Sequence, residues 1–235
     1  MRDRAPSPSP PPARSPARRS SHTVDVVLFT PRGKQLAALC VRVSDLQARE
    51  RWQLPNDWVG SDETLDAAAR RIVLAAAGVE PSWIEQVGAF ADHLRHPAEA
   101  DLSVAFVGVI PTSAQERTSE AGAWFSAIDP PVMPPRHRAM LEAALEALRT
   151  RMDYAPIAFR LLSPMFTLSE LQQMYELLLG RRLHKASFRR ALQAASLVEP
   201  TDEWRSEGRG RPAQYYRFAP RKRRTGRRPV RFDLL

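Results

Sequence analysis

The sequence predicts an α+β fold in two units: a strand-rich unit around one long helix, then a smaller C-terminal helical unit ending in two short strands. Three observations predict it. Before residue 130, apolar residues gather in short strand-like runs around one long helical segment. Pro130, Pro131, Pro134 and Pro135 then punctuate the chain. After them the apolar spacing becomes helical, with a start signal at Thr167 and Glu170 and a stop at Gly180.

The elements follow in order. Residues 1–22 are rich in proline, serine and arginine with few apolar side chains, so they read as a disordered basic tail. Residues 23–134 form the first unit. Val24, Val26, Val27, Leu28 and Phe29, a Pro-Arg-Gly turn, and Leu36 to Val41 make a hairpin. A turn-rich stretch leads to a helix over Leu65–Ala77, which Thr64 caps and Gly78 ends. Strands are expected at Gln86–Phe90, Leu102–Ile110 and Ala123–Ala127. Residues 135–154 read as a linker helix, centred on His137–Met152. Residues 155–220 hold a helical piece at Pro156–Leu162, a capped helix from Thr167 to Gly180 and a second helix over Lys185–Ser196. Strands at Leu197–Pro200 and Ala213–Phe218 close this unit, and residues 221–235 form a basic tail.

Composition and charge narrow the function. The net charge of +9 is uneven: residues 1–20 carry +4, residues 205–235 carry +9, and residues 21–204 carry −4. Positive ends on a mildly acidic body point to nucleic acid or another polyanion, with solvated tails as the plain alternative. Cys40 is the single cysteine, which excludes an internal disulfide framework and fits a reducing cytosol. No apolar run is long enough to span a membrane and no signal-peptide core is present, so a cytoplasmic protein is expected.

Two motifs carry chemistry. Leu54-Pro55-Asn56-Asp57-Trp58-Val59, Glu63-Thr64-Leu65, Arg70-Arg71 and Gly78-Val79 resemble a Nudix box, whose signature runs glycine, Glu six residues on, Arg-Glu, Glu-Glu, glycine. On this alignment the opening glycine falls on Asp57, while Glu63, Arg71 and Gly78 match. The three helix glutamates fall on Ile72, Ala75 and Ala76. Hydrolysing a diphosphate needs Mg²⁺, and carboxylates at i, i+3 and i+4 on one helical face would hold it. Those positions offer no oxygen here, so no catalytic residue and no metal is expected. The pocket is expected to bind instead. Trp52 and Trp58 would stack on a base, Arg42, Arg71 and Arg95 would pair with phosphates, and Glu63 would line the same cleft. A plain core role for the tryptophans, with solvated arginines, is the competing account.

The second motif is a capped helix, a short turn and a second helix, followed by a basic loop between strands. That is the order of a winged helix-turn-helix. In Lys185–Ser196, Phe188, Ala191, Leu192 and Ala195 share the buried face, and Lys185, Arg189, Arg190 and Gln193 project the other way. Ser187 sits near the helix start, within reach of a phosphate or base edge. Arg209 and Arg211, in the Glu207–Pro212 loop, suit a wing gripping a backbone or minor groove.

Together, Phe166-Thr167-Leu168-Ser169-Glu170-Leu171-Gln172, Ser187-Phe188-Arg189-Arg190, Gly210-Arg211-Pro212-Ala213 and Tyr216-Arg217-Phe218 resemble the Nudix-related transcriptional regulators of NAD metabolism, the NrtR group. Gln86, Phe90, Arg95, Pro97 and Ser103-Val104-Ala105 extend the similarity, which covers residues 23–218. His96 and Ala98 depart from the group's Arg-Asp-Pro-Arg segment. The resemblance implies a Nudix-like α/β/α sandwich with a mixed sheet followed by a C-terminal winged helix-turn-helix, a homodimer on a palindromic operator in double-stranded DNA, and repression of NAD synthesis or salvage genes. It implies ADP-ribose or a related nucleotide as effector, with no cofactor. The alternatives are a sugar effector, a residual hydrolase using Glu63 with Asp62 or Asp66, and non-specific nucleic-acid binding through the tails.

Overall fold

A computed structural model describes residues 22–44, 50–91, 93–94, 96–112, 122–152, 156–206 and 212–219. Arg95, Arg209, Arg211 and both tails beyond these limits lie outside the described residues.

The first sheet is mixed, in the order β3-β2-β1-β6-β5, with β4 paired to β1 and β7 to β2. Its central strand β1 (His22–Arg32) is buried along almost its whole length. It runs parallel to β6 (Leu102–Val109) and antiparallel to β2 (Gln35–Ser44). Such a strand must be apolar on both faces, because helices cover both. Val24, Val26 and Leu28 pack under α1 (Leu65–Ala77) with Ala69, Ile72 and Val73. Val27 and Phe29 face α2 (Pro135–Arg151) with Met140, Leu141, Ala144 and Leu148. α1 starts and stops as expected: the Thr64 hydroxyl accepts the Ala67 amide, and Gly78 takes φ +67°.

Several expectations need correction. The turn-rich stretch contains two short strands, β3 (Glu50–Gln53) on β2 and β4 (Asn56–Trp58) on β1. Both are too short for periodicity to register; pairing with long neighbours makes them strands. β5 (Trp83–Phe90) begins three residues earlier than expected, and β7 spans Gly122–Ser126. α3 (Ile157–Arg160) is a single turn. Finally, β1 opens at His22, one residue inside the expected tail.

The second sheet is antiparallel, in the order β8 (Met165–Thr167), β10 (Ala213–Phe218), β9 (Val198–Arg205). β8 escaped the sequence reading because its three residues run straight into the cap of α4 (Leu168–Leu179). β9 continues to Arg205, through residues expected as loop. The α4 capping box is complete, with the Thr167 side chain accepting the Glu170 amide and Glu170 accepting the Thr167 amide. Gly180 ends α4 at φ +68°, and α5 (Lys185–Ala195) follows. Phe159 centres the helical core, with ring centroids 4.5 Å from Phe218, 5.6 Å from Phe166 and 6.4 Å from Tyr175.

α2 belongs to both cores. The apolar cluster beneath the first sheet runs without a break through Leu148, Met152 and Ile157 to Tyr175, Phe188 and Leu192. Polar ties reinforce it: Arg151 donates to the Glu85 carboxylate at 2.5 Å and to the Gln86 carbonyl at 2.9 Å, and Arg160 to the Ser82 carbonyl at 3.1 Å.

Candidate nucleic-acid interface and effector face

α5 divides as its sequence pattern requires. Phe188 and Leu192 are buried, Ala191 and Ala195 half-buried, and Lys185, Arg189, Arg190 and Gln193 exposed. Phe188 packs edge-on against Tyr175 of α4 with centroids 5.4 Å apart, which fixes α5 on its scaffold. Lys185 and Arg189 make no ion pair among the described residues. Ser187 is half-buried in the first turn, its Oγ 3.3 Å from His184 Nδ1 and 3.5 Å from Arg190 Nη2. The turn before α5 is held by Glu176, to which the sequence reading gave no structural role. Glu176 accepts the Leu183 amide at 2.9 Å and the Gln172 amide group at 3.0 Å. Burial alone would raise the Glu176 pKa; these two bonds and the nearby Arg182 charge outweigh it and lower it. The wing contributes an exposed Trp204, 56% accessible, directly across from Gln214.

The residues expected around one effector cleft fall on two sides of the first sheet. Trp52 lies opposite Arg42 in the β2–β3 pair and packs edge-on against Phe125, centroids 4.7 Å apart. Phe125 is paired with Ala38, which faces α2, so Trp52 and Arg42 share that side. Trp58, 41% exposed, is paired with Thr23 on the same side. Asp57 points the other way, beside α1. There Arg71 donates to Asp57 at 2.6 Å, to Glu63 at 2.7 and 3.1 Å, and to the Trp58 carbonyl at 3.1 Å. The Arg71 hydrogen bonds, helped by the Gly60 amide, pull the Glu63 pKa down to about 2. Arg71 is held more firmly protonated, chiefly by Glu63 and then by Asp57. Glu63 and Arg71 are thus committed to each other. On α1, Ile72 and Ala76 are buried and Ala75 is exposed. Asp66 pairs with Arg70 at 2.9 Å.

A cleft of about 750 Å³ lies elsewhere, between the two units, bordered by Lys34, Asp129, Arg149, Glu176 and Arg182. Among the described residues, none of those expected to bind the effector lines it.

Sequence reading also missed a buried polar centre. Asp25 of β1, His96 of the β5–β6 connection and His137 of α2 are nearly inaccessible. Both Nε2 atoms stand 2.9 Å from Asp25 Oδ1 and 3.2 Å from each other. Thr23 donates to Oδ2 at 3.0 Å, and its hydroxyl lies 2.9 Å from that of Ser103. By distance the three could ligate a metal. The far side of each ring argues otherwise: His137 Nδ1 accepts the Leu54 amide at 3.1 Å, and His96 Nδ1 accepts the Ala98 amide at 3.0 Å. A metal-bound imidazole would donate from that nitrogen. Here each ring keeps its proton on Nε2 and donates it to Asp25. Burial would raise the Asp25 pKa, but the bonds from His137 and His96 outweigh it and hold it at about 2. Burial lowers the His137 pKa more than Asp25 raises it, so the ring is neutral. A signal for this centre exists in the sequence, since Asp25 is a lone acid among valines.

Comparisons with known proteins fit this geometry. A model of the NUDIX domain family matches residues 20–144, and one of the NrtR DNA-binding winged helix domain matches residues 158–218. The ADPR responsive transcriptional repressor NtrR of Acinetobacter baylyi is 32% identical over 211 residues, spanning 84% of this chain and 81% of that protein. NrtR of Shewanella oneidensis, solved in complex with a 27mer DNA, is 30% identical with a TM-score of 0.74, covering 85% of this chain and 94% of that one. A MutT/nudix family protein from Enterococcus faecalis, 19% identical with a TM-score of 0.67 over 87% of this chain and 90% of that one, shares the fold. A degenerate Nudix box, a winged helix with a cationic second helix and relatives over most of the chain lead to one conclusion: this protein belongs to the NrtR family of transcriptional regulators.

Proposed function

We propose that the chain is a ligand-controlled repressor of NAD synthesis or salvage genes, working as a homodimer on a palindromic operator and releasing it when ADP-ribose or a related nucleotide binds the Nudix-like unit. The observation that carries the reading is α5, with Lys185, Arg189, Arg190 and Gln193 exposed opposite Phe188 and Leu192. Among the described residues Lys185 and Arg189 have no carboxylate to neutralise them, so their charge is available to phosphate or guanine. Ser187 joins them at the helix start, and Arg209 and Arg211 would extend the contact from the wing. The named response of the Acinetobacter relative to ADPR supports the effector.

The effector face is built on Arg42, Trp52 and Trp58; Arg95, outside the described residues, would join them through its charge. Glu63 and Arg71 act as an ion cluster that fixes β4 against α1. The protein is not a hydrolase: Ile72, Ala75 and Ala76 supply no oxygen for Mg²⁺, and Glu63 and Asp57 are both engaged by Arg71. No helix among the described residues is long and apolar enough to cross a membrane, and the buried Cys40 thiol is pushed up to about 12 by burial, which keeps it inert.

Selection of binding sites from a random duplex library, repeated with ADP-ribose present, tests the reading. An enriched palindrome that ADP-ribose abolishes is the expected result. A palindrome indifferent to ADP-ribose would remove the effector and keep the repressor, and no enrichment at moderate salt would overturn both.

A further inference from the structure

Asp25, His96 and His137 touch neither the exposed face of α5 nor, by their burial, any ligand. We infer that they form the joint through which occupancy of the effector face reaches the DNA-binding helices, with His96 and His137 as positioning residues. The inference rests on the ligand-controlled reading above.

The joint gathers the segments that such a signal has to connect. His96 is adjacent in sequence to Arg95. His137 takes its Nδ1 bond from Leu54, whose backbone links the Trp52 and Trp58 strands. Asp25 anchors both rings to the central strand. Each neutral ring has one N–H, and the amide of Leu54 or Ala98 keeps it on Nε2 by occupying Nδ1. Asp25, ionised and buried, depends on those N–H groups together with Thr23. If a ligand draws either segment away, its ring loses the acceptor bond that orients it, and Asp25 loses a donor. The response is therefore discrete, a bond made or lost. On the output side, His137 lies in the first turn of α2, whose Met140, Leu141, Ala144 and Leu148 belong to the cluster that continues through Phe159 and Tyr175 to Phe188 beneath α5.

Two substitutions separate a joint from a structural plug. In His96→Asn the amide oxygen takes the place of Nδ1 and keeps the Ala98 bond, but the side chain stops short of Asp25. In His96→Gln the amide nitrogen reaches the place of Nε2 and keeps the Asp25 bond. Full-length protein, free and saturated with the selected duplex, is titrated calorimetrically with ADP-ribose, and thermal unfolding checks each variant. Reciprocity requires ADP-ribose to bind the DNA-loaded wild type more weakly, by about 5- to 150-fold. The expected result is that His96→Gln keeps this ratio, whereas His96→Asn brings it close to one and leaves each separate affinity within about threefold of wild type. A folded His96→Asn protein with the wild-type ratio would overturn the joint. If His96→Asn does not fold, His137→Asn, which keeps the Leu54 bond, is judged by the same ratio. Wild type that binds ADP-ribose with a ratio of one overturns ligand-controlled release and the joint with it; the joint alone falls when wild type shows the ratio and a folded Asn variant keeps it. Wild type that binds no ADP-ribose overturns the effector reading and the joint with it.

Discussion

Asp25 and His137 show how single side chains set pH behaviour here. The Asp25 pKa is held at about 2, below its ordinary 3.8, so its contribution is present above that value and is lost as pH falls towards 2. His137 is depressed below 6.5, so the unfolded chain takes up the proton first, and stability declines as pH falls below about 6.5. Thermal unfolding between pH 8 and pH 5 should show a loss beginning near that point, and His137→Gln should lack it. A second prediction concerns α5. If Arg190 contacts a base edge, Arg190→Ala should lose about 1–3 kcal/mol of discrimination between the selected site and a scrambled one, measured by fluorescence anisotropy. A third concerns chemistry. With Mg²⁺ and ADP-ribose or other nucleotide sugars, wild type and Glu63→Gln should both show no turnover. Cleavage that required Mg²⁺ and disappeared in Glu63→Gln would restore the hydrolase.

At the scale of elements, local signals decided the helices and left several strands unread. Thr64 and Gly78 bracket α1, and Thr167, Glu170 and Gly180 bracket α4, because caps satisfy backbone groups that the helix itself cannot. β3, β4 and β8 lack such signals. Each spans three or four residues and owes its form to a neighbouring strand. Gly180 gives the prediction for this scale. At φ +68° an added Cβ is strained and would stand 3.1 Å from the flexible tip of Arg149. Gly180→Ala should therefore cost roughly 1–2 kcal/mol in chemical denaturation, and by loosening the turn into α5 it should weaken DNA binding as well. An unchanged midpoint would show that the turn tolerates the substitution without strain.

For the whole molecule, the continuous core predicts one unfolding event. Leu148 is fully buried where the two units meet. Leu148→Ala should cost about 2–5 kcal/mol and lower the stability of both units together, with tryptophan fluorescence and far-UV circular dichroism giving coincident transitions. Separate transitions would mean that α2 serves the units independently. The basic C-terminal segment belongs to this scale too, since charge acts over the whole surface. Removing residues 221–235 should flatten the salt dependence of DNA binding and leave the selected sequence unchanged.

Wherever the physics is local, the chain declares it. Caps, helical faces, the missing carboxylates at Ile72, Ala75 and Ala76, and the cationic stripe of α5 all depend on spacings of a few residues, and spacing survives in a linear text. Tertiary structure decided the rest, because it depends on segments that are distant in sequence. It set Arg42, Trp52 and Trp58 on one side of the sheet and locked Glu63 and Arg71 together on the other. It also brought Asp25, His96 and His137 to one oxygen across 112 residues of chain. Asp25 stands out among valines, but only the folded chain supplies the two imidazole donors that let its charge remain buried.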